Sequence, residues 1–348
     1  MNIKDIDENF ALTKANKVLY EYYSYNTLTL EGFPWYSKDG ELLRLPKCIF
    51  PALRDTLIET AYSCAGGVVR FGTNSEKIAV RCKLRKMRHS SGMPLAADAG
   101  LDLYNSNTFI ANFRPEVGDD FINMEAETNA PKITEYSLYM PLYSGIESLE
   151  IGVLKGSEIS KAIRHKIEKP TLFYGSSVTN GGCASRPGLT YPAIVTRHMD
   201  ASLINLGFSG NAKGEQEIAR TIAELDISLL VMEYDHNAPN IEYLRETHMQ
   251  FFETIRNAHK DIPIIIMSRP HFNCAKEIDT ARMRDIVKQT YLKALKDGDK
   301  NTYFLDGMSI FLKENMSDFS ADLIHPNDLG FSIIANEILP IVKKALNC

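Results

Sequence analysis

Two rhythms of hydrophobic and polar positions divide this chain. Up to about residue 160, short runs of β-branched and aromatic residues recur between turn signals: Thr27–Leu30, Gly67–Phe71, Ile78–Leu84, Leu101–Tyr104, Glu135–Tyr139 and Leu149–Leu154. Turn-forming stretches such as Ser37-Lys-Asp-Gly40 and Gly72-Thr-Asn-Ser75 separate them. Helical periodicity surfaces only near Asn9–Tyr20 and Phe50–Ala61. Short strands with long connections predict an all-β sandwich, jelly-roll-like in plan, over residues 1–165.

From Pro170 the pattern becomes alternation. Apolar strand candidates are Thr171–Tyr174, Ser202–Leu206, Ser228–Tyr234, Pro263–Met267 and Thr302–Leu305. Between them lie helical patterns at Thr190–Met199, Glu215–Leu225, Tyr243–His259 and Asp279–Lys296, with a last helix over Leu329–Leu346. Strands that are apolar throughout are covered on both faces, so residues 170–348 predict an α/β domain with a doubly wound parallel sheet. The charged stretch Lys161–Lys169 reads as the linker.

Composition narrows the function classes. The 348 residues are 44% hydrophobic and 24% charged, as in ordinary soluble domains. A net charge of -5 leaves no basic excess to neutralise phosphates, which argues against a nucleic-acid partner. The basic run Arg81, Lys83, Arg85, Lys86 and Arg88 reads as the solvated face of a strand and loop. No stretch approaches the ~20 apolar residues of a membrane span, so no membrane partner is expected. The acids early in MNIKDIDENFALTK leave no apolar leader, and a cytoplasmic protein is the expectation, short of a trimmed leader. Cys48, Cys64, Cys82, Cys183, Cys274 and Cys348 form no CxxC or CxxH pair, so free thiols and no zinc site are expected. An oligomer is left open.

Doubly wound sheets bind ligands outside the C-terminal ends of their strands, so the chemistry belongs in those loops. The first, GSSVTNGG, follows a strand ending at Gly175. It fits either a helix cap or a presented serine hydroxyl, and a serine attacks nothing without a base within hydrogen-bond reach. The second, GFSGNAKGE, carries glycines that let a backbone N–H approach a ligand, as in half an oxyanion hole. The third ends at Asn237, whose amide suits a developing oxyanion or, more plainly, an Asx turn. Near the C-terminus, Asp322-Leu-Ile-His325 spaces a carboxylate and an imidazole to meet across one turn. There the carboxylate can fix the tautomer and stabilise the cation, or the pair can cap the final helix.

In order, and each at a strand's end, these blocks resemble the SGNH (GDSL-type) hydrolases over about residues 170–348. The resemblance implies a three-layer α/β fold and ester hydrolysis without metal or other cofactor. It implies Ser177 as nucleophile, His325 as base and Asp322 as its partner. The oxyanion hole it implies comprises the N–H groups of Ser177 and Gly210 and the Asn237 side chain. The first half, with its GFPWYS and LRLP stretches, is similar to the β-sandwich fused to some bacterial two-domain members. Two departures stand out. Ser176 occupies the place of the usual Asp before the nucleophile, and the third block reads YDHNA rather than G-x-N-D.

The resemblance implies a serine esterase acting on short acyl esters of a small molecule or carbohydrate, O-acetyl groups first. An acyltransferase using the same acyl-enzyme is the alternative, and a catalytically inactive carbohydrate-binding or interaction protein is the alternative of another class. Arg269, His271 and His236 are candidate pocket residues. Cys183 lies in the first loop, where papain-like use would need a base nearby. Trp35 reads as sandwich core, and the long stretch Met87–Asp102 as a flap over the cleft.

Overall fold

The computed structural model of the protein describes residues 6–7, 11–16, 18–86, 92–130, 132–271, 277–311 and 316–348. The strands of the first half are β1 (Tyr20–Ser24), β2 (Thr29–Glu31), β3 (Val68–Thr73), β4 (Lys77–Lys86), β5 (Leu101–Asn105), β6 (Thr108–Phe113), β7 (Phe121–Glu127), β8 (Thr134–Tyr139), β9 (Gly145–Leu154) and β10 (Ile159–Lys161). They form two antiparallel sheets. One is ordered β1-β9-β4-β7, the other β10-β3-β8-β5-β6 with β2 beside β3.

Alternation explains why these sheets face each other. In β4, Ile78, Val80, Cys82 and Leu84 point inward and meet Val69, Phe71, Leu103 and Leu138 of the other sheet in one core. The intervening basic residues face outward: Lys83 pairs with Asp120, and the Arg81 guanidinium lies 3.5 Å from the Tyr22 ring centre. Arg88 lies outside the described residues. Among those described, the Asn9–Tyr20 periodicity forms no helix. Lys14 bridges Met124, Tyr20 opens β1, and Ala15 and Tyr20 pack with Ala79, so sheet pairing overrides the local pattern.

The second half holds β11 (Ile167–Gly175), β12 (Ala201–Gly207), β13 (Leu229–Glu233), β14 (Ile264–Met267) and β15 (Thr302–Leu305), all parallel and ordered β12-β11-β13-β14-β15. Successive side chains sort the two faces. Phe173, Val231 and Ile265 pack with the helices Tyr191–Met199 and Asp328–Leu346. Leu172, Leu230 and Ile266 pack with Gln216–Ala223, Ile241–Ala258 and Glu277–Lys296. The result is a three-layer sandwich whose strand order reverses between β11 and β13, the crevice where doubly wound folds place ligands. Trp35 is a correction: it packs with Tyr174, Leu206 and Ile218 of this half, not in the β-sandwich core. Among the described residues no helix is long and apolar enough to cross a membrane.

The two halves share buried contacts. Arg44 is fully buried and donates to the carbonyls of Thr60, Ser63, Asn205 and Gly207 and to the Ser63 hydroxyl. Burial pushes its guanidinium down to about 10, so it keeps its charge at neutral pH, solvated by carbonyl oxygens rather than a counter-ion. Buried Asp102 accepts from Arg186 at 3.0 Å and from the Gly188 N–H at 2.8 Å. At the opposite end of the parallel sheet from Gly175, the seam encloses a cavity of about 390 Å³. Among its charged lining residues, Glu31 pairs with Arg70, and His165 bridges Glu31 and Asp200. The predicted linker therefore holds a fixed ion-paired residue.

Gly66 marks one close approach across the seam. Its φ is +80°, and a Cβ there would sit 2.4 Å from the Asn205 Cβ. Gly40 has a φ of +68° with nothing within 4 Å of such a Cβ. Gly40→Ala should therefore lose only about 1–2 kcal/mol from the left-handed backbone. Gly66→Ala should lose roughly a further 1–3 kcal/mol from overpacking. Urea unfolding of both variants checks this, and equal losses would mean that the seam yields freely at Asn205.

Candidate active site

The segment after β11 resolves the two readings of its serines. Gly175 ends the strand where a Cβ would strike the Glu233 carbonyl and the Thr179 hydroxyl, each at 2.2 Å. Ser176 takes the capping role: its Oγ accepts from the Val178 N–H at 3.1 Å at the start of the short helix Ser177–Asn180. Ser177 is thus left to present its hydroxyl, which lies 2.8 Å from His325 Nε2.

The imidazole is held from its other side. His325 Nδ1 lies 2.7 Å from Asp322 Oδ2, while Asp322 Oδ1 accepts the N–H groups of His325 and Ile324. Leu323, at φ +66°, makes the turn tight enough for residues 322 and 325 to meet. The Ala321 N–H and Ser320 Oγ donate to the His325 carbonyl. Burial pushes the Asp322 carboxyl up, but the hydrogen bonds from His325 and Ile324 outweigh it, so it titrates below the usual carboxylate range. The pair does not cap the last helix; Asn327 does, accepting from the Gly330 N–H.

Three loops surround the hydroxyl. Gly210, exposed and at φ +68°, lies in the loop after β12. The N–H groups of Ser177 and Gly210 donate to no protein acceptor among the described residues. Asn237, after β13, donates one amide hydrogen to the Phe208 carbonyl at 3.2 Å, which ties the second and third loops together.

The candidate pocket residues are placed differently from one another. The half-buried His236 has its ring pushed down to about 3, first by desolvation and then by the Arg269 charge, so it stays neutral. Arg269 is committed within the protein: its guanidinium donates to Thr280 and its N–H to Asp235 Oδ2. His271 is half-buried beyond it, in the same loop. The expected flap is also corrected. Met87–Ser91 lies outside the described residues. The rest contains a short helix, Leu95–Asp98, whose Ala97 and Asp98 carbonyls accept N–H groups from Leu142, Tyr143 and Ser144. This segment buttresses the site from behind.

Tyr143, Ser209 and Glu233 complete the surroundings, and sequence reasoning did not find them. Tyr143, from the β half, shares a 2.7 Å hydrogen bond with Ser209, the residue before Gly210. A Cβ on Gly182 would lie 3.0 Å from the His325 ring, 3.2 Å from the Tyr143 hydroxyl and 3.3 Å from the Ser177 carbonyl, so all three converge there. Cys183 stands beside them, and a base is near it after all. Burial, with Asp322 and Asp98 nearby, pushes its thiol up to about 11, which disfavours the thiolate.

Glu233 had a legible signal, a carboxylate closing an otherwise apolar strand. It is fully buried and accepts from Ser176 Oγ at 2.9 Å and Thr179 Oγ1 at 3.0 Å. Burial and neighbouring Asp235 raise its carboxyl to about 8 despite those bonds. The fold then holds a proton that the unfolded chain releases near 4.5, so this group's contribution to stability falls as pH rises from about 4.5 to about 8. Glu233→Gln should flatten that decline in urea unfolding between pH 5 and 8. Parallel wild-type and variant profiles would mean that Glu233 is ionised throughout.

Comparison with known proteins agrees with this architecture. Residues 168–343 match the GDSL-like lipase/acylhydrolase family, and residues 20–159 match the GxDLY N-terminus of SGNH-hydrolase-type esterases. The latter pattern is Gly100-Leu-Asp-Leu-Tyr104 here, and its Asp102 is the residue that clasps Arg186 and Gly188. No curated protein matches the sequence. Among solved structures, a candidate GDSL-like lipase from Bacteroides ovatus is 28% identical, with a TM-score of 0.85 over 94% of this chain and 98% of that one. A salicylyl-acyltransferase of a tetracycline biosynthetic pathway is 20% identical, with a TM-score of 0.77 over 93% and 96%. A family two carbohydrate esterase from Clostridium thermocellum, in complex with cellohexaose, is 14% identical, with a TM-score of 0.60 over 81% and 93%. With its second half matched along the whole parallel sheet and its first half matched as the partner β region, the chain belongs to the GDSL-like lipase/acylhydrolase family and is an SGNH-type esterase.

Proposed function

We propose that the protein hydrolyses short acyl esters through a Ser177 acyl-enzyme. The observation that carries this reading is the 2.8 Å contact between Ser177 Oγ and His325 Nε2. His325 takes the serine proton as Oγ attacks the acyl carbonyl, and Asp322 holds the ring and stabilises its cation. The developing oxyanion is received by the N–H groups of Ser177 and Gly210 and by the free amide hydrogen of Asn237. His325 then protonates the departing alcohol, and water repeats the sequence in reverse roles. Among substrates, O-acetyl groups on a carbohydrate stand first, by analogy with the carbohydrate esterases of similar fold. Acyl transfer to an alcohol is the second reading. It is favoured by the full-length likeness to the salicylyl-acyltransferase and by exposed Leu323, Ile324 and Leu329 beside the dyad, which suit an apolar acceptor.

Ser177→Ala should abolish fluorophosphonate labelling, and His325→Ala should lower kcat by about a thousandfold or more on p-nitrophenyl acetate. Asn237→Ala should lower it roughly 100- to 1000-fold. A wild-type protein that is folded yet neither labelled nor active on the ester panel would leave a binding role. Product analysis with and without an alcohol acceptor separates hydrolysis from transfer.

Tyr143 is assigned a positioning role, because its bond to Ser209 fixes the turn that bears the Gly210 N–H. Tyr143→Phe should lower kcat about tenfold with KM little changed, since small misplacements of oriented groups weaken catalysis strongly. Ser209→Ala should do the same, and the double variant should be no worse than either. Additive losses would sink the assignment.

A further inference from the structure

Cys183 is used by none of the steps above, yet it stands in the catalytic cleft. Its Sγ, a ligand atom of Asp322 and a ligand atom of His325 all lie within 4.8 Å of one another. These are the ligand types that zinc-like ions choose: thiolate, imidazole and carboxylate, at about 2.0–2.3 Å in a tetrahedral array. Such an array sets ligand atoms roughly 3.5 Å apart, so shifts of about 1 Å would close these three around an ion.

The surroundings favour entry and retention. Side-chain exposure is 45% at Asp322 and 25% at His325, so an ion can reach them from solvent. Cys183 is half-buried, and its backbone is anchored. The N–H groups of Gly181 and Gly182 both bond to the Ser177 carbonyl, and the Ala184 N–H bonds to the Gly181 carbonyl. The thiol is therefore carried on the same short turn as Ser177.

We propose that Cys183, Asp322 and His325 form an inhibitory site for a thiophilic divalent cation such as zinc. Its regulatory meaning rests on the reading of His325 as the base; the binding itself does not. The proton balance explains inhibition. On binding, the Cys183 thiol releases its proton to solvent. If the ion takes Nδ1, the proton there moves to Nε2, and the ring can no longer accept the proton of Ser177. If it takes Nε2, the Ser177 hydrogen bond is displaced outright. Either way the base is lost while the ion stays, and removal of the ion restores it.

Two measurements test this. First, cobalt chloride is added to the Ser177→Ala protein, and the thiolate-to-cobalt charge-transfer absorption is followed. The band should appear and should disappear when Cys183→Ser is added. Second, zinc chloride is titrated into the active wild type with a p-nitrophenyl ester, with EDTA reversal. Inhibition should be reversible, and Cys183→Ser should need at least about tenfold more zinc, since even outer partners of metal ligands are worth 10- to 100-fold in affinity. Cys183→Gly should behave alike, and its backbone tolerates the φ of +71° at this position. Equal zinc sensitivity with and without Cys183, or a cobalt band indifferent to it, would overturn the proposal. A wild type that shows no esterase activity would sink the functional reading alone, because the cobalt spectrum still reports the site.

Discussion

The contact between Ser177 and His325 can form only if chain segments 148 positions apart close at one edge of the parallel sheet. Everything else in the second half serves that closure. The order β12-β11-β13 puts the strand carrying Ser177 at the centre, with the loops of Gly210 and Asn237 on either side. The last helix, capped by Asn327, packs Phe331, Ile334 and Ile338 on the same face as Phe173, and so returns the Asp322–His325 turn to Ser177. A serine is too weak an acid to attack alone, so the proposed reaction depends on packing that brings a remote imidazole within one hydrogen bond.

The β half is joined to this machinery through polar groups rather than mere adjacency. Arg44 fixes the carbonyls of Asn205 and Gly207 just before the second loop, and Tyr143 bonds to Ser209 within it. Asp102 holds the segment that leads from the Ser177 turn to the next helix. Each of these is a buried or half-buried polar group that makes part of its hydrogen bonding across the seam, so separating the halves would strand donors and acceptors on both sides. The β-sandwich therefore acts on the second loop even where it makes no contact with the reacting atoms.

What could be read from the sequence follows from range. The five parallel strands and their helices announce themselves by local apolar runs and periodicity; Ser177 follows the first of these strands, and Asp322 and His325 lie shortly before the last helix. The edge strands β1, β6, β7 and β10 were harder, because YEYYS or TFIANF is half exposed and reads weakly in isolation. Tyr143 was illegible for a deeper reason. Nothing in PLYSG tells of a partner at Ser209, since that hydrogen bond depends on how two sheets dock. Trp35 misled for the same reason: its burial was legible, but the core that buries it was not.

Glu233 shows how a departure from a family pattern becomes intelligible in three dimensions. Ser176 stands where an Asp is usual, and along the chain that looks like the loss of a carboxylate. In space a carboxylate is present, delivered from the end of β13 to the Ser176 hydroxyl and to Thr179. The Ser176 hydroxyl caps the helix Ser177–Asn180 while donating to the acid beneath. The acid is then buried where an ionised group would be disfavoured, which is why its titration moves upward rather than down. Holding its proton to higher pH than an ordinary carboxylate, Glu233 braces the Ser177 turn through hydrogen bonds. It leaves Asp322, with its lowered titration, as the carboxylate whose charge bears on the imidazole.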